Sequence, residues 1–156
     1  MVYLRTLLVT TDLSQHSLAA IEYASSTGLL YGSKIFLLYV ADVDSKGAHY
    51  RSEQEATKAM NEFVEKCINP EIQLKPVVRT GSPADEVRLF AEEQEVDLIV
   101  MATHGRTGLK HMVMGSVAEK VVRLSSVPVL TVKPHAMREK ILKNEDIERD
   151  LHLKTR

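Results

Sequence analysis

Five short apolar runs alternate along this chain with segments of helical spacing, and that alternation constrains the fold more than any other feature. The runs are Leu4–Thr10, Lys34–Val40, Gln73–Arg79, Asp97–Ala102 and Val127–Val132. Each is rich in Val, Ile or Leu and is bounded by polar, Gly or Pro residues. Near-continuous apolar runs mark strands covered on both faces, as in a parallel sheet. Between them, Ser14–Tyr31 carries an apolar stripe that Gly32 can terminate. Glu53–Ile68 places Ala56, Met60, Phe63, Val64 and Cys67 at helical spacing. Ser82-Pro83-Ala84-Asp85 offers an N-cap, a first-turn proline and first-turn acids for a helix reaching about Gln94. Ser116-Val-Ala-Glu119 matches a capping box, with Ser116 as N-cap, for a helix ending near Leu124. The order β-α-β-α-β-α-β-α-β predicts a single α/β domain. It has a five-stranded parallel sheet, helices on both faces and right-handed crossovers.

The domain spans residues 1–134. Residues 135–156 are a charged extension, either a partly ordered tail or a helix that docks on a partner subunit through Ile141, Leu142, Ile147 and Leu151. Ala41–Arg51 reads as a polar loop. The opening run ends in Asp12 with no small-residue cleavage site, so it reads as a strand and not a leader. No apolar run approaches the roughly 20 residues of a membrane span. The formal net charge is −1, so no global basic field draws in nucleic acid or an anionic membrane, and any anion site must be local. The single cysteine, Cys67, cannot form an internal disulfide, fits a reducing cytosol and is expected at the core or its boundary.

Ligands of open α/β sheets bind at the carboxyl ends of strands, where strand order reverses. Two such ends carry unusual residues: Thr10-Thr11-Asp12-Leu13-Ser14, and Ala102-Thr103-His104-Gly105-Arg106-Thr107-Gly108-Leu109-Lys110 leading to Gly115-Ser116. Neither GxxxxGK[ST] nor a GxGxxG after the first strand occurs, which disfavours Walker-type NTPases and dinucleotide dehydrogenases. Gly105, Gly108 and Gly115 nevertheless let backbone N–H groups approach a ligand closely. Ser116 adds a hydroxyl at a helix N-terminus, where anions are favoured. His104, Arg106, Lys110 and His111 make this stretch locally basic. Plain helix capping competes with anion binding as the role of Gly115-Ser116. Asp12 is open to three roles: capping the next helix, contacting a ribose hydroxyl, or meeting Mg²⁺ directly or through water. The other histidines offer no metal-ligand spacing, and no Ser-His-Asp or Cys-His arrangement can be read.

The stretch from Met101 to Lys120, then Ser126-Val-Pro-Val-Leu-Thr-Val-Lys133, resembles the universal stress protein family. The resemblance extends through Leu7–Asp12, Leu38–Val40, Gly81-Ser-Pro-Ala and Asp97-Leu-Ile-Val-Met, so it covers about residues 1–134. Nucleotide-binding members carry Gly, a two-residue gap, Gly, a nine-residue gap, then Gly-Ser/Thr. Here Gly105, Gly115 and Ser116 take the last three positions, and Ala102 stands where the first glycine is expected.

The resemblance implies strand order 3-2-1-4-5 and ATP, or another adenine nucleotide, as the ligand, beside which the Mg²⁺ role of Asp12 stands. Thr10, Thr11 and Asp12 would line the ribose and adenine side, and Val40 would meet adenine through its backbone. Met101, Ala102, His104 and Gly105 would approach ribose and phosphates. Gly115, Ser116 and Val117 would bind phosphate. It further implies a cytoplasmic stress-response or signalling module, dimeric through Val127–Val132, with an unidentified protein partner and at most slow hydrolysis. Two alternatives stand beside it: a dimeric interaction module of the same fold that binds no nucleotide, and a nucleotide hydrolase or adenylyl-transfer enzyme.

Overall fold

The computed structural model of the chain describes residues 3–42, 52–103 and 114–133. His104, Gly105, Arg106, Gly108, Lys110 and His111 therefore lie outside the described residues, as do the loop after Asp42 and the charged extension. The strands are β1 (Thr6–Thr11), β2 (Lys34–Ala41), β3 (Lys75–Thr80), β4 (Leu98–Ala102) and β5 (Val129–Val132). The helices are α1 (Leu18–Tyr31), α2 (Glu53–Cys67), α3 (Pro83–Glu93) and α4 (Ser116–Leu124). All strand pairs are parallel, in the order β3-β2-β1-β4-β5. The order reverses between β1 and β4, where Val9 pairs with Val100.

Period-two alternation sorts the strand side chains into two layers. Leu7, Val9, Ile35, Leu37, Tyr39 and Val100 pack with α1 and α2. Leu8, Phe36, Leu38, Ile99 and Met101 pack with α3 and α4. Both faces are covered, which is why the runs read as continuously apolar. Gly28 lets α1 lie close to β2: a Cβ there would stand 2.5 Å from Cδ1 of Ile35. Gly32 ends α1 in the left-handed conformation at φ 65°, as its place after Tyr31 predicts.

Three local expectations are corrected. Ser14 does not open α1. It is extended, a short 3-10 turn (Gln15–Ser17) follows, and α1 starts at Leu18. The hydroxyls and carboxylate of residues 11–17 bond one another there and compete with a helix start. Ser116 is not the N-cap of α4 either. Gly115 holds that position and Ser116 is the first helical residue, with no side-chain cap. Cys67 is exposed, because the core-facing stripe of α2 ends with Phe63 and the half-buried Val64, and Ile68 takes up the buried contact beyond the helix end.

Two polar devices tie elements together. Asp97 Oδ2 accepts the backbone N–H groups of Arg5 (2.7 Å) and Thr6 (2.9 Å), pinning the entry of β1 to that of β4. Asp97→Ala strands both donors, and urea unfolding is expected to show a loss of about 2 kcal/mol. On the other layer, Lys120 Nζ donates to Asp85 Oδ2 (2.9 Å) and Arg88 Nε to the Leu124 carbonyl (3.1 Å), clasping α3 to α4. The Ser82 hydroxyl and the Lys120 ammonium, both donating to Asp85, hold its carboxyl below the usual range.

Candidate functional site

The carboxyl edge of the sheet at the β1/β4 reversal gathers most of the residues singled out from the sequence. β1 delivers Thr10, Thr11 and Asp12, β4 delivers Met101, Ala102 and Thr103, and β2, beside β1, brings Val40 one residue before its end. The start of α4 is tied to the same edge, because Gly115 N–H donates to the Thr103 carbonyl at 2.7 Å. Thr103 is itself anchored, its N–H donating to the Val132 carbonyl at 2.9 Å.

The turn after β1 is built from its own polar groups. Asp12 Oδ1 accepts from the Ser14 amide (3.0 Å) and the Ser14 hydroxyl (2.6 Å). This Asx-type turn fixes the half-buried carboxylate at the edge. Thr11 Oγ1 accepts from the Leu13 amide (2.9 Å) and shares a 2.7 Å hydrogen bond with Ser17, whose hydroxyl reaches the Ser14 carbonyl (2.7 Å). Thr11 and Ser17 are buried, so the side chain of Thr11 serves the turn. Leu13 sits at φ 63°, a conformation that is strained for a branched side chain and held by these bonds.

Met101 turns its side chain into the α3/α4 layer and Ala102 packs against the other. Val40 is half-buried and pairs with Arg79. At α4, the first-turn amides of Ser116, Val117 and Ala118 precede the first intrahelical bond, Glu119 N–H to the Gly115 carbonyl (2.9 Å). Such amides are donors for an anion, and Ser116 is exposed beside them. Sequence reasoning missed Thr103 and Ser17. The cluster of hydroxyl residues from Thr10 to Ser17 was the signal for Ser17. Thr103 carried none, because its anchoring is made by backbone atoms.

Among the described residues, no three His, Cys, Asp or Glu side chains converge as a metal site. No described helix is long and apolar enough to cross a membrane.

Residues 4–133 match the model of the universal stress protein family. Universal stress protein MJ0531 of Methanocaldococcus jannaschii is 33% identical over 142 residues, covering 83% of this chain and 82% of that one. The solved structure of MJ0577, a universal stress protein of the same organism, superposes with a TM-score of 0.69 at 28% identity, covering 85% of this chain and 97% of that one. A universal stress protein from Archaeoglobus fulgidus in complex with dAMP shares the fold, with a TM-score of 0.61 at 18% identity, covering 85% and 100%. The family match over nearly the whole described chain, with the 3-2-1-4-5 sheet that the resemblance implies, shows that this chain belongs to the universal stress protein family.

Proposed function

We propose that the chain binds an adenine nucleotide, ATP in the first instance, at the carboxyl edge between β1 and β4. The observation that carries this reading is the convergence of the Asp12 turn and the amide-rich start of α4 on one edge. Asp12 would face the ribose, and Gly115, Ser116 and Val117 the phosphates, with His104 and Gly105 contributing from the connection before α4. A relative of the same fold has been solved with dAMP, which agrees with an adenine ligand. A Mg²⁺ ion at Asp12 suits a single carboxylate whose ion keeps phosphate and water ligands. The reading is one of binding with at most slow hydrolysis, in a cytoplasmic stress-response module. β5 pairs on one side with β4 and, as a sheet edge, is the surface through which such a module would dimerise.

Calorimetric titration of the full chain with Mg-ATP tests the proposal. Saturable heat and a rise in melting temperature are expected, and native mass spectrometry of the purified protein should show bound nucleotide. Absence of heat and of any thermal shift at millimolar nucleotide would sink it. Ala102 favours a second reading, an interaction module without nucleotide, because it adds a methyl where the family motif has glycine. Under that reading Ala102→Gly creates ATP binding that the parent lacks.

A further inference from the structure

The outward side of α1 is unlike that of a surface helix. Residues 23–33 contain no charged side chain, in a chain of which 26% is charged. Leu29, Leu30 and Tyr31 are 71%, 65% and 63% exposed, and Tyr23 and Tyr3 are exposed as well. The hydroxyls between them are turned inward on the helix. Ser25 donates to the Ile21 carbonyl (2.7 Å), Ser26 to that of Glu22 (3.0 Å) and Thr27 to that of Tyr23 (2.9 Å). The Ser and Thr hydroxyls of the face are thus satisfied within the helix, and its other side-chain polarity is the phenol hydroxyls of Tyr3, Tyr23 and Tyr31. A helix apolar around its whole circumference is ordinarily covered. Together the five large side chains expose on the order of 600 Å², above what scattered surface apolar residues account for and close to one partner's share of a stable interface.

Among the described residues, the charged side chains flanking this face stand at its ends. Glu22 lies at its N-terminal end. Arg5 lies at the other, where Ser33 Oγ donates to the Leu4 carbonyl and the Lys34 amide to the Arg5 carbonyl (2.8 Å). The Arg5 guanidinium sits 5.5 Å from the ring centroid of Tyr3. Glu22 and Tyr31 are about 14 Å apart along the axis at 1.5 Å per residue. An antiparallel two-fold pairing of α1 with itself thus sets Glu22 of each copy near Arg5 of the other, with apolar side chains between. One cation at the rim is too few to hold the face on an anionic membrane, whereas a patch with opposite charges at its two ends is complementary to itself.

We propose that the outer face of α1 is a self-association surface, separate from the β5 edge, on which a second copy of the chain docks with its α1 antiparallel. Sedimentation velocity of the full chain across a concentration series tests it. Leu30→Glu is expected to halve the mass, from dimer to monomer, or from tetramer to dimer where β5 also pairs, while its far-UV circular dichroism stays parental. Glu22→Arg and Arg5→Glu should each weaken association by about tenfold or more, since each sets like charges together at both ends. An equimolar mixture of the two variants should restore it, since each end then pairs Arg with Glu. A parental chain with no such association, or a mass unmoved by Leu30→Glu and by both charge variants, overturns the proposal. So does flotation on phosphatidylserine vesicles that Leu30→Glu abolishes without a change of mass, which would assign the face to a membrane.

Discussion

Phe36→Ala is expected to lower the free energy of unfolding by about 4 kcal/mol, the range found when a buried aromatic is cut back to alanine. Phe36 is 1% exposed and heads the fully buried side chains by volume. Its ring meets that of Phe90 edge-on, with centroids 5.2 Å apart and planes at 85°, and so joins the central part of the sheet to α3. The ammonium groups of Lys34 and Lys75 lie 4.3 and 5.8 Å from its centroid. Truncation opens a cavity between β2 and α3 and removes the aromatic pair together with its cation contacts. Phe36→Leu refills much of the volume and should lose only about 1–1.5 kcal/mol. Urea unfolding followed by far-UV circular dichroism reads both. Equal losses for Ala and Leu would show that the site collapses and that packing there is not what holds α3.

Ser116→Asp is expected to act in opposite directions on stability and on binding. Ser116 is the exposed first residue of α4. A carboxylate there faces the unpaired amides and the positive end of the helix dipole, so the domain should gain about 0.3–1 kcal/mol. The same carboxylate would occupy the place proposed for nucleotide phosphate and repel it. ATP affinity should fall at least about 100-fold, or roughly 2.7 kcal/mol. A purely structural α4 start predicts the gain in stability alone. Paired thermal melts and calorimetric titrations separate the two, and unchanged affinity would remove Gly115, Ser116 and Val117 from the site.

How far the fold is legible in the chain depends on which physical signal each element leaves. Strands covered on both faces leave continuous apolar runs, so all five are legible, with ends displaced by up to two residues. Those runs are interchangeable in character, however, and nothing in their composition says that β1 lies beside β4. That adjacency came from the family resemblance. Gly32 was legible because only a left-handed terminus calls for glycine after Tyr31. Gly115 is not legible as the cap of α4, because a glycine cap leaves no side-chain signature and the adjacent Ser116 offers a stronger one. The start of α1 was misplaced for a related reason. Ser14 is a good helix opener in isolation, but Asp12, Thr11 and Ser17 draw it into a turn of their own. At the candidate site, the acid and the glycine-serine pair were visible as residue types, whereas the role of Thr103 was not, since it rests on its backbone.

The hydrogen bond from Gly115 N–H to the Thr103 carbonyl makes the residues between them exchangeable. Thr103 is fixed from β5 and Gly115 from α4, so these two residues meet across one bond. Doubling the length of a flexible connection between two fixed ends adds only about 0.6 kcal/mol of closure entropy. Grafting a different segment between Thr103 and Gly115 should therefore redirect what the edge recognises while leaving the sheet and both helical layers intact, a cheap route by which one domain can diversify its ligands.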